Sequence, residues 1–167
     1  YKRQRYVTLD QINRENVGGL GLAWSRVLGG DRERMQTTPI VVDGVMYATS
    51  GWSIVYAMNA ATGELLWQYD PKTDREFVKY SCCGGVANRG VAVYEGRVYV
   101  GTFDGRLLAL DAESGSLVWD IDTYHPSALG RFNITGAPRA AAGKIFIGNG
   151  SSEYGRRRGY VTAYDAD

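Results

Sequence analysis

Ala57-Met58-Asn59-Ala60-Ala61-Thr62-Gly63-Glu64-Leu65-Leu66-Trp67 recurs as Ala109-Leu110-Asp111-Ala112-Glu113-Ser114-Gly115-Ser116-Leu117-Val118-Trp119, at a constant offset of 52 residues. A third copy opens as Ala163-Tyr164-Asp165-Ala166-Asp167, where the chain stops. Ahead of each copy stands a second repeated unit: Val41-Val42-Asp43-Gly44-Val45-Met46-Tyr47, Val93-Tyr94-Glu95-Gly96-Arg97-Val98-Tyr99 and Ala141-Ala142-Gly143-Lys144-Ile145-Phe146. Each reads as strand, tight turn at the glycine, strand. One full unit is therefore four short strands, the last carrying the tryptophan. A period near 50 with four strands per repeat is the pattern of a β-propeller blade. A sandwich or barrel needs no such echo of turn and tryptophan together. The tryptophan is expected to pack between neighbouring blades.

Leu22-Ala23-Trp24 matches only the tail of the unit and reads as an isolated fourth strand. With two full blades and three strands of another, twelve strands are expected. Closed propellers have four or more blades, so this chain is expected to be the front part, residues 1–167, of a larger propeller domain. It starts at Tyr1, with no basic segment leading into an apolar one, so any signal peptide is already removed or lies ahead.

Composition agrees with an all-β fold. Among 167 residues there are 22 glycines and 12 tyrosines but 4 prolines, and no sustained helical periodicity, which excludes bundles and coiled coils. Nineteen basic against 18 acidic residues give a net charge of +1, which offers no reason to expect nucleic acid or an anionic membrane as partner. No apolar run approaches the ~20 residues of a membrane-spanning helix.

The repeat also places candidate functional residues. Eight positions before the hairpin glycines stand Gln36, Asn88 and Thr135. They open the innermost strands of three successive blades, and antiparallel return brings the ends of the second strands to the same face. Thr49-Ser50-Gly51-Trp52, Thr102-Phe103-Asp104 and Asn149-Gly150-Ser151-Ser152-Glu153 are those ends. Two readings stay open on repeat geometry alone: a ligand site on the propeller axis, or inner strands that are polar because they start at solvent. The adjacent Cys82-Cys83, followed by Gly84-Gly85, is either oxidised in a rigid, strained loop or a pair of thiols.

Ser81-Cys82-Cys83-Gly84-Gly85-Val86-Ala87-Asn88-Arg89-Gly90-Val91-Ala92 resembles the vicinal-disulfide segment of the pyrroloquinoline-quinone (PQQ) dependent alcohol dehydrogenases. Asp10-Gln11-Ile12-Asn13-Arg14-Glu15-Asn16-Val17, Ile134-Thr135-Gly136-Ala137-Pro138 and Gly159-Tyr160-Val161-Thr162-Ala163-Tyr164-Asp165 are similar to that family in the same order. The resemblance covers essentially the whole chain. It implies an eight-bladed propeller outside the cytoplasm, periplasmic or secreted, of which this chain supplies about two and a half blades. It implies a PQQ cofactor with calcium or a lanthanide, an alcohol substrate oxidised to aldehyde or ketone, and a cytochrome c or quinone electron acceptor.

Roles follow residue by residue from the resemblance. Cys82 and Cys83 would form a disulfide plate against the quinone. Arg89 would stabilise negative charge on the quinone oxygens as hydride arrives. Thr135, Gly150, Ser151 and Ser152 would hold cofactor carboxylates and ring edge, and Glu153 would be a metal ligand in a hard, oxygen-rich site. The base aspartate would lie beyond Asp167, so the isolated chain is expected to be inactive. Gln36 stands where the family usually has glutamate and is carried as a lesser cofactor contact. Gly150-Ser151-Ser152 departs in detail from the family's small-residue pattern. The arginine-rich stretch from Tyr154 to Gly159 reads as a solvated loop. His125, the lone histidine, reads as an ordinary loop residue, and Asp104-Gly105 as a plain hairpin turn. A cofactor-free propeller of the same repeats, binding proteins in envelope assembly, is the competing reading; Cys82-Cys83, Arg89, Thr135 and Glu153 together argue against it.

Overall fold

The computed structural model describes residues 9–30, 35–80, 85–124, 132–150 and 158–167. Within them the repeat units fold as three antiparallel sheets. The first is β1 (Ile40–Val42), β2 (Val45–Thr49), β3 (Val55–Asn59) and β4 (Leu65–Tyr69), paired in that order. The second is β5 (Ala92–Tyr94), β6 (Arg97–Gly101), β7 (Arg106–Asp111) and β8 (Leu117–Asp122). The third holds β9 (Arg139–Ala141), β10 (Lys144–Asn149) and β11 (Tyr160–Asp165). These are propeller blades, each laid out as four-stranded or three-stranded meander.

The hairpins close as the sequence demands. Asp43-Gly44, Glu95-Gly96 and Ala142-Gly143 all have both residues at positive φ, between 48° and 78°, which is the two-residue turn matching strand twist. The third and fourth strands slip register between Ala57 and Met58, and again between Ala109 and Leu110. The bulge thus recurs at the repeat offset and is encoded by it.

Cores lie between sheets rather than within a single layer. Tyr47, Val55 and Ala57 of the first blade meet Val98, Val100, Leu108 and Leu110 of the second. On the reverse side of the second blade, Tyr99, Leu107 and Ala109 meet Ile134, Ile145 and Ile147. The central strands of the middle blade are therefore buried on both faces, while β10 alternates exposed and buried along its length.

The repeated tryptophans fasten blade to blade. Trp24 lies over Gly63 and donates its indole N–H to the Ala60 carbonyl at 3.1 Å. Trp67 lies over Gly115 and donates to Ala112 at 3.0 Å. A Cβ at either glycine would stand 2.5–2.6 Å from the ring, so only glycine admits it. Eleven strands are found among the described residues, one fewer than expected, because residues 22–24 pair with no sheet. Trp24 keeps the packing role through its side chain alone.

Candidate functional site at the channel mouth

Three inner-strand entrances meet at one end of the sheets. The backbone N–H of Thr38 donates to the Arg89 carbonyl at 3.2 Å, and the N–H of Arg89 donates to the Thr135 carbonyl at 3.0 Å. The stretches preceding β1, β5 and β9 are thereby stitched side by side, where the repeat placed them. The stitched residues stand six, seven and eight positions before Gly44, Gly96 and Gly143, a stagger of one residue per blade.

Arg89 is exposed at this seam, and its Nη1 donates to the Thr135 hydroxyl at 2.6 Å. Its remaining guanidinium nitrogens have no hydrogen-bond partner among the described residues. The side chain borders a cleft of about 550 Å³ walled by Thr38, Val91, Ala137, Pro138 and Arg139. Beside it, a hollow of about 410 Å³ is lined by Asn133, Thr135, Asn149, Gly150 and Tyr160. A fixed cation with donors to spare, next to a hydroxyl donor, is a set of groups that binds anionic or quinone oxygens. Those groups fit PQQ, a flat molecule whose rim is carboxylate and carbonyl oxygen.

Other expected residues are placed less directly. The N–H and C=O of Gly150 are both taken by Asn133, at 2.9 and 3.0 Å, so this glycine shapes the hollow rather than offering backbone donors to it. Gln36 is exposed and hydrogen-bonds to no described residue. Its neighbour Thr37 turns inward instead, with its hydroxyl accepting from the Thr49 N–H at 3.0 Å. Cys82, Cys83, Ser151, Ser152 and Glu153, with His125, lie outside the described residues.

Sequence reading placed Asp104 at a strand end and in a plain turn but missed its buried pairing. Its side chain is 9% exposed, receives hydrogen bonds from Thr102 and Arg106, and accepts the Asp74 N–H at 3.0 Å. Arg106 continues to Asp120 and to the Pro71 carbonyl at 2.9 Å. Burial opposes the charge on Arg106, but the hydrogen bonds and negative charges of Asp104 and Asp120 outweigh it and raise its pKa. Thr102, Asp104 and Arg106 come together across the β6–β7 turn, which the sequence marked only as a turn. Trp52 also faces this region: it stacks edge-on to Phe103, with rings 6.5 Å apart, and carries Arg75 over its own ring at 4.1 Å.

Over residues 1–167 the chain matches the family described as "PQQ: Glucose/ethanol/alcohol dehydrogenase, beta-propeller domain". The chain belongs to that family. A curated relative, "Alcohol dehydrogenase (quinone), dehydrogenase subunit" of Komagataeibacter europaeus, is 54% identical over all of this chain and 23% of its own length. "Quinohemoprotein alcohol dehydrogenase ADH-IIG" of Pseudomonas putida is also 54% identical, again over 100% of this chain and 23% of the relative. The solved structure of ADHIIG from Pseudomonas putida HK5 superposes with a TM-score of 0.91 at 54% identity, covering 98% of this chain and 23% of that one. A "Europium-containing methanol dehydrogenase" superposes with a TM-score of 0.81 at 37% identity, over 94% of this chain and 27% of the other. The chain thus spans about a quarter of the length of these relatives. Family membership implies PQQ as cofactor, and no observation favours the scaffold reading.

Proposed function

We propose that this chain is the N-terminal part of an eight-bladed, periplasmic, PQQ- and calcium-dependent alcohol dehydrogenase that oxidises an alcohol to an aldehyde or ketone. The observation carrying this reading is Arg89, held against Thr135 at the mouth with guanidinium donors that no described residue takes up. When bound, PQQ supplies the acceptor for a hydride from the alcohol carbon. Arg89 puts a fixed positive charge where the acceptor's oxygens gain electron density, and a preorganised charge needs no reorganisation during the reaction. Thr135, whose hydroxyl accepts from Arg89, would add a hydroxyl contact to the cofactor beside it.

Cys82 and Cys83 would form a disulfide against the quinone, with Gly84-Gly85 giving the segment backbone latitude. Ser151 and Ser152 add hydroxyl contacts, and Gln36 contributes an uncharged one. Glu153 holds calcium or a lanthanide, both of which prefer hard oxygen ligands. Electrons leave to a cytochrome c or a quinone; relatives bear the names 1-butanol dehydrogenase (cytochrome c) and alcohol dehydrogenase (quinone). No helix among the described residues is long and apolar enough to cross a membrane.

The deciding experiment uses the full-length parent protein purified natively. Its intact mass is compared with and without reductant, its absorption spectrum is recorded, and alcohol oxidation is assayed with PQQ and calcium added. A quinone band, a mass lighter by the two thiol hydrogens, and alcohol-dependent reduction of an acceptor are expected. Free thiols with no quinone band after reconstitution would overturn the proposal.

A further inference from the structure

Arg89 is exposed, yet the residue before it is among the most buried polar groups in the protein. Asn88 is 1% exposed, and both ends of its carboxamide are used. Its Oδ1 accepts the Gly90 N–H at 3.0 Å, and its Nδ2 donates to the Gly101 carbonyl at 2.8 Å, at the end of β6. Its own carbonyl lies 3.4 Å from the Thr49 hydroxyl, which in turn lies 3.0 Å from the Thr37 hydroxyl. Asn88 therefore straddles Arg89: it holds the following residue by one hydrogen bond and ties the pair to the second strand of the same blade by another.

The backbone around Arg89 needs such a hold. Gly90 has φ +122°, and a Cβ there would stand 2.9 Å from the Thr38 carbonyl, so the position immediately after Arg89 is a left-handed, closely approached one that only glycine fills without strain. The buried Gly90 N–H finds its acceptor in Asn88, and a buried N–H deprived of its acceptor costs about 1–3 kcal/mol. Aspartate could accept from Gly90, but it has no donor for Gly101 and would set oxygen against oxygen. Asparagine satisfies both partners at once.

We propose that Asn88 is a positioning residue for the reaction. Its carboxamide fixes the Asn88-Arg89-Gly90 backbone so that the guanidinium is presented to the cleft at Thr135. This rests on the function proposed above, because it assigns Asn88 an effect only through Arg89.

The test is a double-mutant cycle in the full-length enzyme: wild type, Asn88→Ala, Arg89→Ala and the double variant. Each apoenzyme is titrated with PQQ in the presence of calcium, by absorbance, and kcat and KM are measured for those that load. Asn88→Ala alone is expected to weaken PQQ binding and lower kcat by about tenfold to a hundredfold, the scale of a small misplacement. KM for the alcohol is expected to change little. In the Arg89→Ala background the same change is expected to have less than about a twofold effect.

Asn88→Asp, which keeps the Gly90 acceptor and loses the Gly101 donor, runs through the same cycle and serves if the alanine variant does not fold. Asn59→Ala controls for lost stability, since Asn59 caps a turn at the opposite end of the blade and should leave PQQ binding and kcat unchanged. Equal losses from Asn88→Ala with and without Arg89 would overturn Asn88's role while leaving the dehydrogenase reading intact. A wild-type protein that takes up no PQQ would overturn both.

Discussion

Asp111 occupies the place in the second blade that Asn59 occupies in the first, and the two side chains do the same work with different chemistry. Asn59 accepts from the N–H groups of Ala61 and Thr62 at 2.9 and 3.1 Å. Asp111 accepts both the hydroxyl and the N–H of Ser114 at 2.7 Å. Those bonds favour the carboxylate, the Ser114 hydroxyl most, and hold the Asp111 carboxyl below its usual range. A group with a depressed folded-state pKa adds stability above its unfolded value, near 4, and loses it as pH falls through the folded value. Asp111→Asn keeps the acceptor and removes the titration. The variant is therefore expected to lose less stability than the parent between about pH 5 and pH 3, measured by urea midpoints across that window. Midpoints falling in parallel for both proteins would show that Asp111 does not contribute to the acid slope. The interchange of Asn and Asp was readable from the repeat; the Ser114 hydroxyl contact was not, because it depends on a rotamer.

The connection between β4 and β5 is long, and three anchors fix its first part. The Thr73 hydroxyl donates to the Trp52 carbonyl at 2.8 Å, Arg106 reaches the Pro71 carbonyl, and Asp104 accepts from the Asp74 N–H. From these anchors a short 3₁₀ helix, Arg75–Tyr80, leads directly to Ser81-Cys82-Cys83. Asp104→Ala removes one anchor and half of the Arg106 pairing in a largely buried setting. It is expected to cost about 2–3 kcal/mol, read as a lower thermal midpoint of the full-length protein, and to speed proteolysis within residues 70–85. A loss under about 0.5 kcal/mol would place the anchoring elsewhere. Period and turn residues were sufficient to find the strands, their hairpins and the entrance positions around Asn88 and Thr135, while the role of Arg89 came from the resemblance. They could not find this anchoring, because Asp104 meets a segment some thirty residues earlier and Asp104-Gly105 looks like any other turn. The strand expected at residues 22–24 failed for a related reason: the match to the repeat carried the tryptophan but no neighbouring strand to pair with.

Across the whole molecule, one contact is used repeatedly to set the distance between blades: a tryptophan of one repeat on the glycine of the next. The aromatic pairing beside it repeats as well, with Tyr47–Trp67 at 5.9 Å and 49°, and Tyr99–Trp119 at 5.8 Å and 50°. Trp119 differs in one respect: its buried indole N–H has no hydrogen-bond partner among the described residues, while Tyr99 and Arg97 take the Ala166 carbonyl that matches Ala60 and Ala112. Two glycines with nearly equal backbone strain separate the contact from the conformation. Gly44 has φ +78° and nothing within 4 Å of a Cβ, whereas Gly115 has φ +73° and a Cβ there would lie 2.6 Å from the Trp67 ring. Gly44→Ala is therefore expected to cost only the left-handed strain, about 1 kcal/mol, and Gly115→Ala that amount plus about 1–3 kcal/mol for displacing the indole and its hydrogen bond to Ala112. Thermal midpoints of the two variants in the full-length protein measure the difference. In the Trp67→Ala background, Gly115→Ala should fall to the cost of Gly44→Ala, because the ring that it strikes is gone. If the excess persists there, the blades are spaced by the apolar cores between sheets and not by the tryptophan.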